Sequence, residues 1–260
     1  MNINRRTFLS GLASSAFVLP TIANVNSEFD DLIEFAKTCK IIDFKSGLHN
    51  FNPRPYQIDY FKNILNSSNL VCRKCRQCGA TTMNLIYAHW VAERHPDKKV
   101  LIVFINHMLV DEAKDKFNLM FHDNPRKWYE NTPNVEFTTD ESIYDMALEQ
   151  GWSNFYTQLK SGEHPYFNSN TILICDEYEF SKYWFCAELM VSRNIDFMKT
   201  IWVGTPNNSV DSVFWNNRDL DGHISRTKIQ WTDIPGWDDE WAEHAISIIG
   251  KERFRQEFIV

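Results

Sequence analysis

Continuous apolar runs that end in polar residues are the feature that most constrains the fold of this chain. Residues 98–106 form the longest run, and residues 171–175 and 200–203 have the same character. Such a run without polar alternation is typical of a strand that is buried on both faces of a sheet. Segments with helical spacing separate the runs, so the sequence predicts an α/β fold with a mostly parallel central sheet flanked by helices.

Length and composition narrow the class of protein. The chain has 260 residues, of which 43% are hydrophobic and 23% are charged, as is typical of a folded globular protein. Its formal net charge of -7 excludes a simple polycation that coats nucleic acid, so any contact with DNA has to be local. Six cysteines are too few for a disulfide scaffold in a chain of this length.

Helical spacing is found in three segments of the N-terminal half. Residues 29–39 predict an amphipathic helix, and residues 56–65 predict a second helix that follows two prolines. Residues 70–71 are apolar, the next eleven residues are polar, and residues 83–92 resume helical spacing. We therefore predict a strand, a loop and a helix in this order.

The loop in this unit fits a phosphate-binding template with two departures. Gly79 and Thr81 occupy the glycine and hydroxyl positions, whereas Lys74 replaces the first glycine and Ala80 replaces the usual lysine. Backbone N–H groups at the start of a helix cradle phosphates, and the Thr81 hydroxyl can bind Mg²⁺. Lys74 or Arg76 could supply the missing positive charge. Taken alone, the motif also fits an ordinary turn between a strand and a helix.

Polar residues follow two more of the predicted strands. Asp176 and Glu177 come directly after the run at 171–175, and a Gly-Thr-Pro-Asn sequence follows the run at 200–203. Ligands of open α/β sheets bind at the carboxyl ends of the strands. The first carboxylate can hold Mg²⁺ through water, and the second can act as the general base that activates the attacking water. A strand that simply exits into a charged loop is the alternative for the acidic pair alone.

Taken in order, these motifs resemble the N-terminal ATPase domain of the large terminase subunit of tailed bacteriophages, the motor that packages DNA. The resemblance rests on the ordered set of motifs rather than on any single one. The matching segments are an adenine-recognition motif at 56–57, a phosphate loop at 76–82, an acidic strand at 172–177, a coupling motif at 204–207 and closing segments at 234–236 and 254–258.

The resemblance implies a P-loop NTPase that uses ATP and Mg²⁺. It implies that Glu177 is the catalytic base, that Arg76 acts in cis on the γ-phosphate together with Lys74, and that Thr81 and Asp176 hold the metal. The implied nucleotide-binding residues are Tyr56, Gln57, Lys74, Gln77, Gly79, Ala80, Thr81 and Thr82, and the implied coupling residues are Gly204, Thr205, Pro206 and Asn207. The implied partners are double-stranded DNA, the portal protein, the small terminase subunit and further copies of the chain in a ring.

The resemblance also divides the chain. Residues 1–27 are expected to be an N-terminal tail and residues 28–260 the ATPase domain, without the C-terminal nuclease domain of the family, so we expect no DNA cleavage. Residues 4–23 resemble a twin-arginine export signal that is too short to span a membrane. Because a packaging motor works beside ATP and DNA, we expect the host cytoplasm and no membrane partner, with export as the less favoured alternative.

Two other functions remain open from the sequence. Ala80 in place of the loop lysine is compatible with a structural or nucleotide-binding module that has lost catalysis. Cys72, Cys75 and Cys78 have the spacing of metal sites, which allows an exported metal-binding protein, although a fourth ligand at close spacing is absent. Small loop residues without a ligand role are the simpler interpretation of these cysteines.

Overall fold

The computed structural model describes residues 22–43, 46–120, 134–180, 198–206 and 224–259. The helices are α1 (Ile22–Thr38), α2 (Pro55–Asn66), α3 (Ala80–Arg94), α4 (His107–Leu119), α5 (Asp140–Gln150), α6 (Trp152–Ser161), α7 (Asp239–Ile249) and α8 (Lys251–Phe258). The strands are β1 (Lys40–Asp43), β2 (Gly47–Asn50), β3 (Asn69–Lys74), β4 (Lys99–Phe104), β5 (Val135–Thr139), β6 (Thr171–Asp176), β7 (Lys199–Gly204) and β8 (Ser225–Ile229). In these ranges, no helix is long and apolar enough to cross a membrane.

Six of the strands form one sheet in the order β5-β4-β6-β7-β3-β8, and every neighbouring pair in it is parallel. This confirms the predicted α/β fold. β7 lies between β3, which leads into the phosphate loop, and β6, which ends in the acidic pair. Val203 of β7 pairs with Cys72 on one side and with Asp176 on the other. The register therefore brings the ends of all three strands to the same edge of the sheet.

Helices cover both faces of this sheet. Leu70 and Ile201 belong to one apolar cluster, to which α1, α2, α3, α4, α7 and α8 contribute. Val71 and Trp202, the next residues along the same strands, belong to a second cluster formed with α5 and α6. Because successive side chains of a strand point to opposite faces, a strand between two clusters needs apolar residues throughout. This explains why all six residues of β6 are buried.

Two of the predicted elements are longer in the structure. The first helix begins at Ile22 instead of residue 29, since neither glycine nor proline interrupts the intervening sequence. The strand predicted at 70–71 extends to Lys74, which pairs with Ile229 of β8. Backbone pairing on both sides carries β3 past its apolar residues, so Lys74 lies on a strand and not in the loop.

Gly204 allows a short helical turn to lie against the end of β7. This 3₁₀ turn, Tyr178–Phe180, follows directly after the acidic pair. A Cβ atom at Gly204 would lie 3.1 Å from Tyr178 Cε1 and only 2.9 Å from Glu179 Cγ, and the second distance is too short for a real Cβ atom. The glycine is therefore required by close packing between the end of β7 and the 3₁₀ turn.

We expect Gly204→Ala to lower the free energy of unfolding by about 1–3 kcal/mol, because the added methyl group forces the turn to shift. Chemical denaturation of the two proteins measures this difference. In a Glu179→Ala background the nearest atom is removed, so the same substitution should cost less. An equal cost in both backgrounds would contradict the contact with Glu179 as the cause.

Candidate active site

The loop between β3 and α3 has the backbone shape that the phosphate-binding template requires. Gly79 is the N-cap of α3 with a φ of 81°, and Gln77 has a φ of 61°, so both lie in the left-handed region. The N–H groups of Cys75 and Arg76 donate to the carbonyl oxygens of Ile229 and Glu257, each at 2.9 Å. An anion would therefore be bound further along, by the N–H groups of the first turn of α3.

Lys74 supplies the positive charge of the site. Its side chain is 6% exposed, and its ammonium group forms an ion pair with the Glu177 carboxylate. Burial favours the neutral amine, but the negative charges of Glu177 and Asp176 outweigh it and raise the pKa of Lys74. Ala80, at the usual lysine position, is 3% exposed and packs in the first apolar cluster. The cation therefore reaches the site from the strand instead of from the helix.

Thr81 and Asp176 form the second predicted pair. The Thr81 hydroxyl donates to Asp176 Oδ2 at 2.5 Å, and the Glu177 N–H donates to Oδ1 at 3.1 Å. Burial raises the pKa of Asp176, the neighbouring Glu177 acts in the same direction, and Lys74 opposes them. Mg²⁺ is commonly held by one or two carboxylates together with substrate phosphates. A hydroxyl and a carboxylate in direct contact fit this kind of metal site.

Glu177 is held in an unusual backbone conformation. Its φ of 57° is rare for a residue with a side chain and costs about 1–3 kcal/mol, which marks candidate functional sites. The Thr205 N–H donates to Glu177 Oε2 at 3.2 Å, and the Thr205 hydroxyl lies 3.5 Å from Oε1. The predicted coupling residues Gly204 and Thr205 thus contact the acidic segment, and Pro206 follows them. Asn207 lies outside the described residues.

A second ion pair lies beside that of Lys74 and Glu177, and the sequence did not predict it. Arg73 Nε lies 3.3 Å from Glu179 Oε1, and the Tyr178 hydroxyl donates to the same oxygen at 3.0 Å. Both ion pairs, Lys74 to Glu177 and Arg73 to Glu179, connect the end of β3 to the segment after β6, across β7. Arg73 precedes Lys74 and Glu179 follows Glu177 by two positions, which is the only sequence signal for this contact.

The predicted adenine-recognition residues lie against the phosphate loop. The Tyr56 hydroxyl donates to the carbonyl oxygen of Cys78 at 2.9 Å. Gln57 is 6% exposed, and its Oε1 accepts a hydrogen bond from the Arg54 N–H at 2.9 Å. A Cβ atom at Gly79 would lie 3.2 Å from Gln57 Nε2. The start of α2 therefore packs against the loop at Cys78 and Gly79.

Arg76 pairs with the C-terminal helix. Its Nη1 lies 3.9 Å from Glu257 Oε1, and its side chain is 48% exposed. Sequence reasoning assigned Arg76 to the γ-phosphate and did not single out Glu257, which also pairs with Arg253 at 2.8 Å. The remaining predicted residue, Thr82, is partly exposed in the first turn of α3.

The described residues do not support the metal-binding alternative. They contain no group of three or more His, Cys, Asp or Glu side chains that could hold a metal ion. Cys72 is a buried residue of β3, and burial raises its pKa well above the usual value, which keeps the thiol neutral. Cys75 and Cys78 lie in the loop instead. The three cysteines therefore do not act as one ligand set in this structure.

Comparison with known proteins agrees with this geometry. The fold is similar to the folds of phage large terminases, including an isolated terminase ATPase domain. The ATPase domain of the large terminase of Thermus phage P74-26 is similar, with a TM-score of 0.53 and 11% identity over 80% of this chain and 93% of that domain. The large terminase of bacteriophage HK97 is similar with a TM-score of 0.59 and 12% identity, over 88% of this chain and 54% of the HK97 protein.

The resemblance predicted from the motifs is therefore confirmed at the level of the fold. No family model matches the sequence. No curated protein matches it by sequence either.

We expect Asp176→Asn to raise the free energy of unfolding near neutral pH in the absence of nucleotide. The folded-state pKa of Asp176 lies above the unfolded value of 3.8, so the fold loses stability as the pH rises through the folded-state pKa. The variant avoids this loss. Urea denaturation at about pH 4 and about pH 7 should therefore show an advantage for the variant that grows with pH.

Asp31→Asn is the matched control, because the pKa of Asp31 is shifted in the opposite direction to that of Asp176. Hydrogen bonds from Arg94 and Trp90 lower the pKa of Asp31, so its contribution is present at neutral pH and is lost as the pH falls. This variant should be less stable than the wild type at about pH 7 and should approach it in acid. If Asp176→Asn follows the same course as Asp31→Asn, burial is not the dominant effect at Asp176.

Proposed function

We propose that this chain binds ATP with Mg²⁺ and hydrolyses it, as the motor domain of a large terminase subunit that packages viral DNA. The observation that carries the proposal is the meeting of Lys74, Glu177, Asp176 and Thr81 at one edge of the sheet, through an ion pair and a hydrogen bond. This constellation lies in a fold shared with phage terminase ATPase domains. Fold alone does not define an activity, so the proposal depends on the site.

Each side chain has a role in this reaction. The N–H groups at the start of α3 and the Lys74 ammonium bind the phosphates. Thr81 and Asp176 would hold Mg²⁺, which neutralises charge on the phosphates when it is bound. Glu177 accepts the proton of the attacking water. The carboxylate of Glu177 is ion-paired with Lys74 in this structure, so we infer that the phosphates draw Lys74 away and free Glu177 for catalysis.

The same contacts connect hydrolysis to movement. Thr205 holds both oxygens of Glu177 and lies at the start of the segment that follows β7. If Glu177 changes its partner, its contacts with Thr205 change as well, and this segment moves with them. This supports the coupling role of residues 204–207. We further propose that the motor acts in the host cytoplasm on double-stranded DNA, in a ring of copies docked to the portal protein and the small terminase subunit.

We expect Glu177→Gln to reduce steady-state phosphate release by about 100-fold or more while ATP still binds, because the amide cannot accept the proton. Phosphate release and the binding of a fluorescent ATP analogue measure the two properties separately. Glu149→Gln, at an exposed position of α5, is the control and should behave as the wild type. Equal phosphate release by wild type and Glu177→Gln would rule out Glu177 as the base.

We expect Lys74→Met to weaken ATP binding by about tenfold or more, because the described residues include no other buried lysine or arginine that could replace it. Lys62→Met, at an exposed position of α2, should have no such effect. Unchanged ATP affinity in Lys74→Met would contradict the proposed role. Ala80→Lys would then test the alternative of a weakened module, which requires that the restored lysine raise turnover.

A further inference from the structure

Two cysteines lie at the ends of a tight turn inside the phosphate loop. Arg76 and Gln77 are the turn residues between Cys75 and Cys78. The positive φ of Gln77 is the value that the third residue of a type II turn requires. The ends of a β-turn lie less than about 7 Å apart, and disulfides usually join Cα atoms about 4.4–6.8 Å apart. The backbone therefore already has a spacing that a disulfide accepts.

The two thiols are neighbours at the ends of this turn. The residues are 0% and 2% exposed, and each thiol shifts the pKa of the other. Arg76 and Gln77 between them are exposed, so the turn itself reaches the surface and a small oxidant needs only a local opening to enter.

The surroundings shift the pKa values of the two thiols in opposite directions. Cys78 is therefore the thiol that acts as the nucleophile, and Cys75 is the one that stays protonated. The neighbouring Cys75 thiol lowers the pKa of Cys78 against the effect of burial, and the Lys74 ammonium and the Ala80 N–H act in the same direction. The Cys78 thiol, followed by burial, raises the pKa of Cys75. Low-pKa thiols beside a cation and a helix N-terminus, with a second cysteine three residues away, are typical of redox-active pairs.

The other buried cysteines in the described part of the chain lack this environment. Burial raises the pKa of Cys39 to about 12, and it raises that of Cys175 well above the usual range. Neutral buried thiols are poor nucleophiles. Oxidation should therefore be selective for the loop.

We propose that Cys75 and Cys78 form a reversible disulfide when the protein meets a hydroperoxide, and that the oxidised loop binds nucleotide weakly. The Cys78 thiolate attacks one oxygen of hydrogen peroxide, which gives a sulfenic acid and hydroxide. Cys75 then attacks this sulfur, a water molecule leaves, and the S–S bond forms. Two thiols and one peroxide thus give one disulfide and two water molecules. A dithiol reductant reverses the reaction by thiol–disulfide exchange.

The effect on nucleotide, which rests on the proposed ATPase function, follows from the contraction of the turn. The sulfur atoms of two free thiols lie well beyond the S–S bond length of about 2.05 Å, so one cysteine has to move. The Cys75 N–H is fixed to Ile229, whereas Cys78 is followed directly by Gly79 and Ala80. Movement of Cys78 therefore displaces the start of α3, where the N–H groups for phosphate lie.

Peptide mapping of the full chain tests the disulfide without any need for nucleotide. The reduced protein is treated with hydrogen peroxide, unfolded, blocked with iodoacetamide and digested with trypsin, which cleaves after Lys74, Arg76 and Arg94. We expect residues 75–76 to remain joined to residues 77–94 until a reductant is added. Separate, alkylated peptides after peroxide treatment would overturn the proposal, as would equal oxidation of Cys39.

Nucleotide binding tests the second part of the proposal, that the oxidised loop binds nucleotide weakly. We expect oxidation to weaken the binding of a fluorescent ADP analogue by about tenfold and reduction to restore it. Cys75→Ser and Cys39→Ser are the paired variants, of which only Cys75→Ser should lose the reversible response. Unchanged affinity in a protein that maps as oxidised would overturn this half. Failure of the reduced protein to bind nucleotide would instead count against the ATPase proposal and leave the mapping result valid.

Discussion

The ion pair between Lys74 and Glu177 is the contact on which the arrangement of the site depends. It joins the strand that leads into the phosphate loop to the carboxylate that follows β6, although β7 separates these two strands. The pair forms because the parallel register aligns the three strand ends, and because Gly204 ends β7 and Thr205 follows it. Gly204 leaves room for the neighbouring 3₁₀ turn, and the Thr205 N–H donates a hydrogen bond to the Glu177 carboxylate.

The ion pair between Arg73 and Glu179 is a second connection between the end of β3 and the segment after β6. The Glu179 side chain is 2% exposed, and its carboxylate also accepts the Tyr178 hydroxyl, so this second pair is well fixed. Removing one partner of such a buried pair leaves an uncompensated charge, which is strongly destabilising. Arg73 and Glu179 therefore hold the end of β3 to the segment after β6 independently of Lys74 and Glu177. Under the proposed function, this second pair keeps the strand ends together while Lys74 and Glu177 exchange partners.

The sequence predicted the parts of the fold that are buried on both faces. β6 and β7 read as continuous apolar runs because helices cover both sides of the sheet, and the motifs at their ends lie where the parallel order requires. The edge strands β5 and β8 were not predicted, since each contains only one fully buried residue. The contacts of Arg73 with Glu179 and of Arg76 with Glu257 escaped prediction because residues far apart in the sequence form them.

The departure at Ala80 has a structural explanation in these contacts. Ala80 packs in the apolar cluster beneath the loop, so a lysine there would have to leave the cluster to reach a phosphate. Lys74 approaches from β3, where the two carboxylates keep it charged despite burial. This position ties the proposed phosphate-binding cation to the proposed catalytic base in one ion pair. Under the proposed function, a lysine on the helix would leave Glu177 unpaired before nucleotide binds, whereas Lys74 keeps it neutralised until a phosphate competes for the same charge.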